Sequence, residues 1–498
     1  MTDRPDLPRT TRDRAPGIAA DGVPHGPRES DSLWSPDRRA LTIGLVLNVT
    51  IVASEALAVS TIMPIVARDL GGIDLYGWVF SGFFLGNLLG IVIAGMMIDR
   101  GGLARPFILG IGLFAIGLLI GGIAPSMAVL VAARVLQGLG AGAIPAVAYV
   151  SIARAMPEHL RPRMFAILST AWVLPGVIGP TLAAFVGETW HWRLVFIGLL
   201  PIIAVAAWLT LPSIRAVGPA ALATPQRDET SQPNAARRRL PLAIVLVVGA
   251  GLVVSGLSNV SSIPLVLIAA GVLIGVPAFA RLTPPGTIRA ATGLPAAVLL
   301  RGFLTFAFFC ADVYVPLAIQ DWRGAPALLS GVVYTAATLT WTAGAWIQAH
   351  NVARIGPGRF LVAGFATLVL GIVGFATILS PDVPLVVGVL MWGVAGFGMG
   401  LSYSTLSLVV LREAAPEQQG AATAGLQLSD VLGTALGTGV GGALIAFGAR
   451  AGEPAWIGLG ATFGIAIVVA IVGLGLTPRL GRRASRGELP ALAEPATG

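Results

Sequence analysis

The sequence predicts an all-α integral membrane protein with fourteen transmembrane helices, arranged as two six-helix bundles related as parallel repeats plus two inserted helices. Three observations lead to this prediction: the composition, a duplicated set of short motifs and the distribution of arginine. Of 498 residues, 55% are hydrophobic and 11% are charged, and the mean hydropathy is +0.84. Soluble domains carry roughly 25% charged residues, so this chain has too little polar surface to fold in water.

Short motifs of the first half of the chain return in the second half, in the same order, at an offset of about 250 to 260 residues. The matched segments are 64–69 with 316–321, 100–105 with 354–359, 138–142 with 396–400, and 173–179 with 431–437. A duplicated membrane bundle is typical of secondary transporters, whose binding site lies between the two copies near the bilayer midplane.

Apolar runs of roughly 20 residues predict the membrane-spanning helices. In chain order they lie near 41–66, 76–98, 106–124, 127–152, 164–187, 194–213, 240–258, 262–280, 294–319, 327–350, 359–379, 383–408, 418–447 and 455–476. Helices 1 to 6 correspond to helices 9 to 14, and this even offset gives both copies one orientation. Helices 7 and 8 are an insertion, which we expect at the periphery and away from the transport path.

The arginines predict the orientation, because cytoplasmic loops are enriched in Lys and Arg. All 32 basic residues are Arg. With the N-terminus inside, they lie in the two tails and the even-to-odd loops, except for Arg134 and Arg301 within spans and four on the opposite side. Those four are Arg68, Arg193, Arg323 and Arg450. Removing one span would invert every later loop, so the pattern favours fourteen spans of the cytoplasmic (inner) membrane with both termini cytoplasmic.

The predicted domain organisation follows from these spans. Residues 1–40 are polar and Pro-rich, which predicts a disordered cytoplasmic tail and not a cleaved signal peptide. The other units are an N-terminal bundle at 41–213, a cytoplasmic linker at 214–239, the inserted helices at 240–281, a cytoplasmic loop at 282–293, a C-terminal bundle at 294–477 and a cytoplasmic tail at 478–498.

Side chains suited to metal or redox chemistry are scarce. Cys310 is the single cysteine, and the four histidines are scattered along the chain. A disulfide or a zinc site is therefore not expected, and no Ser/His/Asp grouping supports a membrane-embedded enzyme. We predict no catalytic residue, no metal, no cofactor and no nucleic-acid partner, and the short loops contain nothing that indicates the output domain of a sensor.

Three short motifs resemble those of the major facilitator superfamily, in its fourteen-spanner drug:proton antiporter branch. The resemblance covers nearly all of 41–476. The motifs lie between helices 2 and 3, in helix 4 and in helix 5. In this sequence they are Gly95-x-x-x-Asp99-Arg100-x-Gly102-x-x-Arg105, Arg134-x-x-Gln137-Gly138-x-Gly140-x-Gly142, and Pro175-Gly176-x-x-Gly179-Pro180.

The resemblance implies alternating access of two bundles, with the first motif acting as a latch between the halves in the outward-open state and the third favouring antiport. Leu103 and Ala104 depart from the first motif, where a basic residue is common, and Ala183 and Ala184 replace the usual final glycines of the third. The departure at Ala183 and Ala184 slightly weakens the implication of export over import. The motifs carry almost no information about the cargo.

Two acids on the first helices of the two copies are candidates for proton coupling. A charge inside the bilayer costs several kcal/mol unless it faces a cavity or a partner. Glu55, near the middle of helix 1, would exchange a proton for cargo, or it is a permanently protonated, hydrogen-bonded carboxyl. Asp312, in helix 9, would lie on the opposite wall of the path, or it is merely solvated near the outer mouth.

Three further charged residues lie within the predicted spans. Asp430 in helix 13 is a third candidate for proton coupling, or it caps or pairs locally. Arg134, whose repeat counterpart is Trp392, would tune a nearby acid, or it forms a structural pair with helix 1 or with a backbone carbonyl. Arg301, near the cytoplasmic end of helix 9, is expected to extend its side chain to the interface.

The remaining candidates are aromatic residues that would stack on a cargo molecule, or else serve as ordinary packing or interface anchors. They are Trp172, Trp341, Trp346 and Trp392, together with Gln427.

The predicted function is a proton-driven exporter of small amphipathic molecules such as drugs or antibiotics, working as a monomer in lipid. The alternative is a proton-coupled transporter of one specific metabolite or lipid-like natural product, but spans rich in Ala, Gly, Val and Leu favour lipophilic cargo.

Overall fold

The computed structural model of the protein describes residues 32–216, 233–258, 263–415 and 418–480. Within these ranges the regular secondary structure is entirely helical. The principal helices are α1 (Pro36–Leu70), α2 (Tyr76–Gly101), α3 (Ala104–Gly122), α4 (Met127–Ala155), α5a (Arg161–Thr170), α5b (Val173–Val186), α6a (Arg193–Ile197), α6b (Leu199–Ala216), α7 (Pro233–Ser258), α8 (Pro264–Leu282), α9a (Leu294–Asp312), α9b (Val315–Leu317), α10 (Ala327–Ile355), α11 (Pro357–Ala376), α12 (Leu385–Glu413), α13 (Gln419–Arg450) and α14 (Ala455–Leu476).

Twelve helices in the described ranges are long and apolar enough to cross a membrane. The predicted fifth and tenth spans are not among them. The fifth is interrupted into α5a, of 10 residues, and α5b, of 14 residues, while α10 is 29 residues long but rich in Thr, with Gln, His and Asn in its second half. The chain is therefore a multi-pass helical membrane protein, and the count of fourteen spans stays a prediction.

Several helix boundaries differ from those expected. α1 begins at Pro36, inside the predicted tail 1–40, because proline is well suited to the first turn of a helix. α7 begins at Pro233, inside the predicted linker 214–239. Most of both tails and of the linker lies outside the described residues, and the disorder predicted there stays a prediction.

The two halves of the chain, α1 to α6 and α9 to α14, pack internally in the same way. α4 lies against α2 and α3, and α12 lies against α10 and α11. A Cβ atom added at Gly138 would collide with the carbonyl oxygen of Phe83 on α2, and one added at Gly396 would collide with that of Ala337 on α10. The same holds for Gly140, Gly142, Gly398 and Gly400. The glycine-rich motifs therefore permit close approach of the helix backbones in both halves.

The inserted helices are only partly peripheral. α8 faces away from the bundle, with Leu265 and Leu273 exposed. α7 packs against both α2 and α13, so it covers the seam between the halves on one side. A separate apolar cluster joins these elements and includes Leu85 of α2, Leu246 of α7 and Leu432 of α13. α7 nonetheless keeps an exposed face that includes Ile244 and Val248, so the expectation that the inserted helices lie away from the transport path stays a prediction.

The two halves are joined at one end of the bundle, which we call the Arg68 end; the opposite end is the Arg100 end. At the Arg68 end Gly77 of α2 touches Gly442 of α13, and the Gln320 amide donates to the Thr61 carbonyl at 2.9 Å. Hydrogen bonds that join the halves occur from the middle of the bundle to the Arg68 end.

Candidate functional site

Glu55 of α1 and Arg134 of α4 form an ion pair in the interior of the first half. Each residue is only 1% exposed. The Arg134 guanidinium also donates to Gln137 Oε1 at 2.8 Å and to the Val79 carbonyl at 3.2 Å, and it lies 4.2 Å from the centroid of the Phe83 ring. α1, α2 and α4 thus all contribute to the surroundings of one buried charge.

The Glu55 pair is not saturated. Glu55 Oε2 and Gln137 Nε2 are buried and have no hydrogen-bond partner among the described residues. Buried polar atoms in folded proteins are nearly always paired with protein or water, so one acceptor and one donor remain available next to the Arg134 guanidinium. Arg134 was expected either to tune a nearby acid or to form a structural pair, and the structure shows its pair with Glu55 of the first helix. Whether Glu55 carries a proton stays a prediction.

Asp312, at the end of α9a, is buried and only 6% exposed. Its Oδ1 accepts a hydrogen bond from Trp392 Nε1 at 3.2 Å, and its carbonyl accepts one from the Tyr334 hydroxyl at 2.7 Å. The Trp392 ring is fully buried and stacks on Phe308 with 5.4 Å between the ring centroids. The alternative of a solvated acid at the mouth is therefore wrong, because the helices of its own half enclose Asp312.

Arg301 of α9a does not extend to the interface, contrary to expectation, and is only 4% exposed. It lies 3.4 Å from Asp430 of α13, and its Nη1 donates to the Tyr403 carbonyl at 2.6 Å. The Tyr403 hydroxyl donates to Asp430 Oδ2 at 2.8 Å. The Asp430 carboxylate on α13 and the Tyr403 residue on α12 thus hold the Arg301 side chain inside the bundle. Asp430 pairs across helices, and Gln427, one turn before it, lines a small cavity beside Arg301.

The residues of the expected latch lie at the Arg100 end. Asp99, Arg100 and Arg105 are exposed, and none of them has a hydrogen-bond or ion-pair partner in the described ranges. Gly102 ends α2 with φ of 87°, and its repeat counterpart Gly356 ends α10 with φ of 89°. This left-handed conformation favours glycine, so the same turn recurs in both halves while the latch residues stay unpaired.

The predicted antiporter motif lies on α5b, at a contact between the halves. A Cβ atom added at Gly176 would collide with the Thr338 side chain of α10. The Thr335 hydroxyl donates to the Val177 carbonyl at 3.0 Å. Pro180 lies inside α5b, and the interruption between α5a and α5b precedes the motif. A helix with a break therefore faces the opposite half along this seam.

The predicted aromatic cargo residues fall into two groups. Trp341 and Trp392 both contact Phe308, with 5.6 Å and 5.4 Å between the ring centroids. Trp172 and Trp346 are 49% and 67% exposed and lie apart from this cluster. The structure thus brings together two of the four tryptophans, next to Asp312.

The four arginines that broke the expected charge asymmetry all have partners at the Arg68 end, which the sequence analysis missed. Arg68 pairs with Asp321, and Arg450 pairs with Asp74 at 2.9 Å; both pairs join the two halves. Arg193 pairs with Asp69 at 3.0 Å, and Arg323 donates to several carbonyls, among them that of Ile378 at 2.7 Å. The placement of these four arginines on the opposite side of the predicted topology was the sequence feature that could have indicated these ion pairs and hydrogen bonds.

Side chains that bind metals are not grouped in the structure. Across residues 32–216, 233–258, 263–415 and 418–480, no group of three or more His, Cys, Asp or Glu side chains is placed to hold a metal ion. Cys310 is buried and free. The chemistry of the interior therefore rests on carboxylates, guanidinium groups and aromatic rings.

Comparisons with known proteins fit this architecture. The family profile described as Major Facilitator Superfamily matches residues 42–424. A probable multidrug-efflux transporter of Mycobacterium tuberculosis is 27% identical over 425 residues, covering 81% of this chain and 87% of the relative. The multidrug resistance protein Stp of the same organism is 25% identical, covering 80% of this chain and 74% of that protein. The first relative is named as a transporter, and neither is named as an enzyme.

Solved structures share the fold at low sequence identity. A POT family transporter in complex with 5-aminolevulinic acid aligns with a TM-score of 0.66 at 13% identity, covering 89% of this chain and 96% of that chain. A D-xylose-proton symporter aligns with a TM-score of 0.61 at 13% identity, covering 90% and 99%. A bacterial homologue of the lysosomal transporter Spinster, in an inward-facing and unoccupied conformation, aligns with a TM-score of 0.62 at 16% identity, covering 89% and 96%.

Proposed function

Because this chain belongs to the Major Facilitator Superfamily, we propose that it is a proton-coupled secondary transporter that exports small amphipathic molecules across the cytoplasmic membrane by alternating access. The observation that carries the proposal is the buried Glu55–Arg134 pair, in which one carboxylate oxygen is free. The names of the multidrug-efflux relatives support export of such molecules.

The Glu55 carboxylate has two states with different partners. When ionised, it is held by the Arg134 guanidinium, which compensates the energetic penalty of a charge in the membrane interior. When protonated, it no longer needs the cation, and Arg134 keeps Gln137 and the Val79 carbonyl as acceptors. Proton binding therefore loosens a contact between α1 and α4 without leaving Arg134 unpaired. This is the kind of local charge change that biases a conformational equilibrium.

The proposed architecture has fourteen spans, two six-helix bundles and both termini in the cytoplasm. α5b and α10 support the count because they pack against each other between the halves, as their repeat counterparts α13 and α2 do. The exposed arginines Arg100, Arg105 and Arg354 support a cytoplasmic Arg100 end. In this orientation the Arg68 end is external, and the conformation described above is inward-facing.

Cargo recognition is assigned to the space between the halves in the second bundle. The partly exposed ring of Trp341 provides an apolar face for stacking, and the buried rings of Phe308 and Trp392 pack behind it. Asp312, hydrogen-bonded to Trp392, places a polar group behind these rings. Such a mixture suits a molecule that has an apolar body and one polar end. Asp430 is proposed as a second acid that acts with Arg301.

Transport by inverted vesicles tests the proposal. Cargo, with ethidium as the probe, should accumulate when the vesicle interior is made acidic, and a protonophore should abolish the accumulation. Vesicles without the protein provide the background. Accumulation that follows a sodium gradient and ignores the proton gradient would contradict proton coupling, and accumulation of one metabolite but of no amphipathic dye would contradict the cargo class.

A further inference from the structure

Arg301 is a buried cation whose hydrogen-bonding capacity is not fully used. Its Nη1 donates to the Tyr403 carbonyl at 2.6 Å, but Nε is buried and has no hydrogen-bond partner among the described residues. The nearest counter-ion is Asp430, with 3.4 Å between Nε and Oδ1 and 3.4 Å between Nη2 and Oδ2. Charge-assisted hydrogen bonds are usually about 2.7 to 2.9 Å long, so Arg301 is only loosely paired.

Asp430 divides its carboxylate between two partners. Its Oδ2 accepts a hydrogen bond of 2.8 Å from the Tyr403 hydroxyl. The charged or titratable groups that face it are Arg301 on α9a and Tyr403 on α12, whereas Gln427 and Thr434 on its own helix are uncharged. Asp430 therefore retains a short hydrogen bond to Tyr403 if Arg301 turns to another anion.

A cavity of about 90 Å³ lies beside Arg301, between α9a, α12 and α13. It is lined by Arg301, Ser407, Leu411, Thr423, Leu426 and Gln427. One water occupies about 30 Å³ of liquid, and drug-sized pockets measure about 300 to 1,000 Å³. The cavity therefore holds a group of a few heavy atoms, such as a carboxylate, and not a whole cargo molecule.

The cavity is open towards the Arg100 end. Thr423 and Leu411 are exposed at its mouth, while Arg301 forms its buried floor. Three of the lining side chains, Ser407, Thr423 and Gln427, carry hydroxyl or amide groups that can donate hydrogen bonds to an anion. A cation would meet Arg301 there, and Asp430 is not among the lining residues. The charge of the site thus selects an anionic group.

The first half of the chain lacks this site. Asp430 directly precedes Val431 and Leu432, whose repeat counterparts are Val173 and Leu174, so Asp430 corresponds to Trp172. Trp172 is 49% exposed and carries no charge. A bundle of the same packing therefore folds without the acidic member of the cluster, which indicates a role other than holding the helices together.

We propose that the cavity at Arg301 binds the carboxylate of an anionic or zwitterionic amphipathic cargo, and that Asp430 competes with this carboxylate for the guanidinium. The proposal rests on the proposed transport function and assigns this site to one subclass of its cargo, the amphipathic molecules that carry a carboxylate. The apolar body of the cargo extends from the cavity into the space between the halves. Neutralising Asp430 releases Arg301 and strengthens the binding of the carboxylate.

Two probes that differ in one group test the proposal: dansylglycine, which has a carboxylate, and dansylglycinamide, which has an amide in its place. Binding to the purified full-length protein in lipid nanodiscs is followed by dansyl fluorescence, without any ion gradient. We expect wild type to bind dansylglycine more tightly than the amide. Arg301→Gln should weaken dansylglycine binding about tenfold or more, which equals about 1.4 kcal/mol, and leave the amide unchanged.

Asp430→Asn should act in the opposite direction, strengthening dansylglycine binding severalfold without changing the amide. Arg354→Gln, which removes an exposed arginine at the end of α10 in the same half, is the matched control and should change neither affinity. If Arg301→Gln does not fold, Thr423→Phe blocks the exposed mouth without touching the ion pair, and it should weaken dansylglycine selectively.

Equal affinity of wild type for the two probes, or an equal loss of both in Arg301→Gln or Thr423→Phe, would overturn the proposal. Because binding is measured without a gradient, failure of the transport function gives a different result. In that case dansylglycine still binds through Arg301, while inverted vesicles show no proton-driven accumulation of ethidium.

Discussion

Trp392 donates a hydrogen bond to Asp312 at the place where, in the other half of the chain, Arg134 pairs with Glu55. Arg134 and Trp392 correspond in the repeat, and each joins the fourth helix of its half to the first. The duplicated fold has kept this connection between helices and changed its chemistry from an ion pair to a neutral donor. Of Glu55 and Asp312, only Glu55 faces a cation, so we expect proton coupling to depend mainly on the first half.

Glu55→Gln is the sharpest test of this asymmetry. Glutamine has nearly the volume of a protonated glutamic acid and keeps an oxygen that accepts from Arg134, but it cannot release a proton. Uphill, proton-driven accumulation of cargo should be abolished, while binding or downhill exchange of cargo stays measurable. Both are followed in inverted vesicles, with and without an acidic interior.

Glu453→Gln, at an exposed position after α13, is the matched control and should transport like wild type. Glu55→Leu should also unfold more easily than Glu55→Gln, because removing one partner of a buried ion pair costs about 3 to 5 kcal/mol. Wild-type accumulation by Glu55→Gln would make Glu55 structural and leave Asp312 as the leading candidate.

The Asp312–Trp392 pair predicts a milder effect. Trp392→Phe removes the Nε1 donor and preserves an aromatic ring against Phe308. Asp312→Asn removes the charge and keeps an oxygen acceptor. Both variants should retain proton-driven transport, with a selective loss of cationic cargo in Asp312→Asn. The test compares transport of ethidium with that of a neutral dye, and loss of all coupled transport in Asp312→Asn would contradict the assignment to Glu55.

The ion pair between Arg68 and Asp321 should stabilise the conformation that is closed at the Arg68 end, because it joins the two halves. Its side chains are 55% and 27% exposed, and exposed pairs contribute about 0.2 to 1 kcal/mol. Asp321→Asn should therefore shift the equilibrium towards opening of this end by at most about fivefold. Distances between spin labels placed on α1 and α10 at the Arg68 end measure the shift.

Arg193→Gln provides the control for that experiment, because Arg193 pairs with Asp69. Both residues belong to the first half, so this ion pair does not join the two halves. It should leave the distance distribution unchanged. The two substitutions change the net charge of the Arg68 end in opposite directions. Shifts of similar size and opposite direction would therefore mean that the effect comes from the net charge and not from the bridge between the halves.

The sequence was sufficient to predict the class of fold, because apolar runs and the repeated motifs depend on local composition. The glycines at 138–142 and 396–400 could be assigned to close helix contacts for the same reason. The partners of buried charges could not be predicted, since they depend on which helix faces which. Arg301 appeared to be free to reach the interface, but Tyr403 and Asp430 lie more than one hundred residues away in sequence and enclose it.

The contacts of the inserted helices could not be predicted from the sequence either. Their composition predicts membrane helices without charges in the middle, which is compatible with any position around the bundle. The contact of α7 with the seam between α2 and α13 depends on a small residue of α13. A Cβ atom added at Gly439 of α13 would collide with Val254 of α7. Such complementarity is visible only when the helices are placed together.

The proposed topology predicts that the chain before α7 and the loop after α8 lie on the same, cytoplasmic side. The loop is connected to the end of the chain, since Arg479 Nη1 donates to the Arg289 carbonyl at 2.9 Å. Reporter fusions after Arg237 and after Arg289 should therefore both report cytoplasm. A fusion after Asp382, between α11 and α12, is the control and should report the outside. Opposite reports at Arg237 and Arg289 would contradict two spans in the insertion.

Asp99 should stabilise the opposite conformation from Asp321. It is exposed and has no hydrogen-bond or ion-pair partner among the described residues, and the halves are joined from the middle to the Arg68 end. We therefore expect its partner to come within reach when the Arg100 end closes. Asp99→Asn should leave the fold intact and shift the equilibrium away from closure of the Arg100 end, whereas Asp321→Asn shifts it towards closure. The conformational ratio of the double variant should lie between those of the two single variants.

Cysteines placed at each end, labelled with an impermeant maleimide, measure the ratio of the two conformations. An unchanged ratio with full transport in Asp99→Asn would reduce Asp99 to a topological anchor, and a shift in the same direction as Asp321→Asn would contradict the latch.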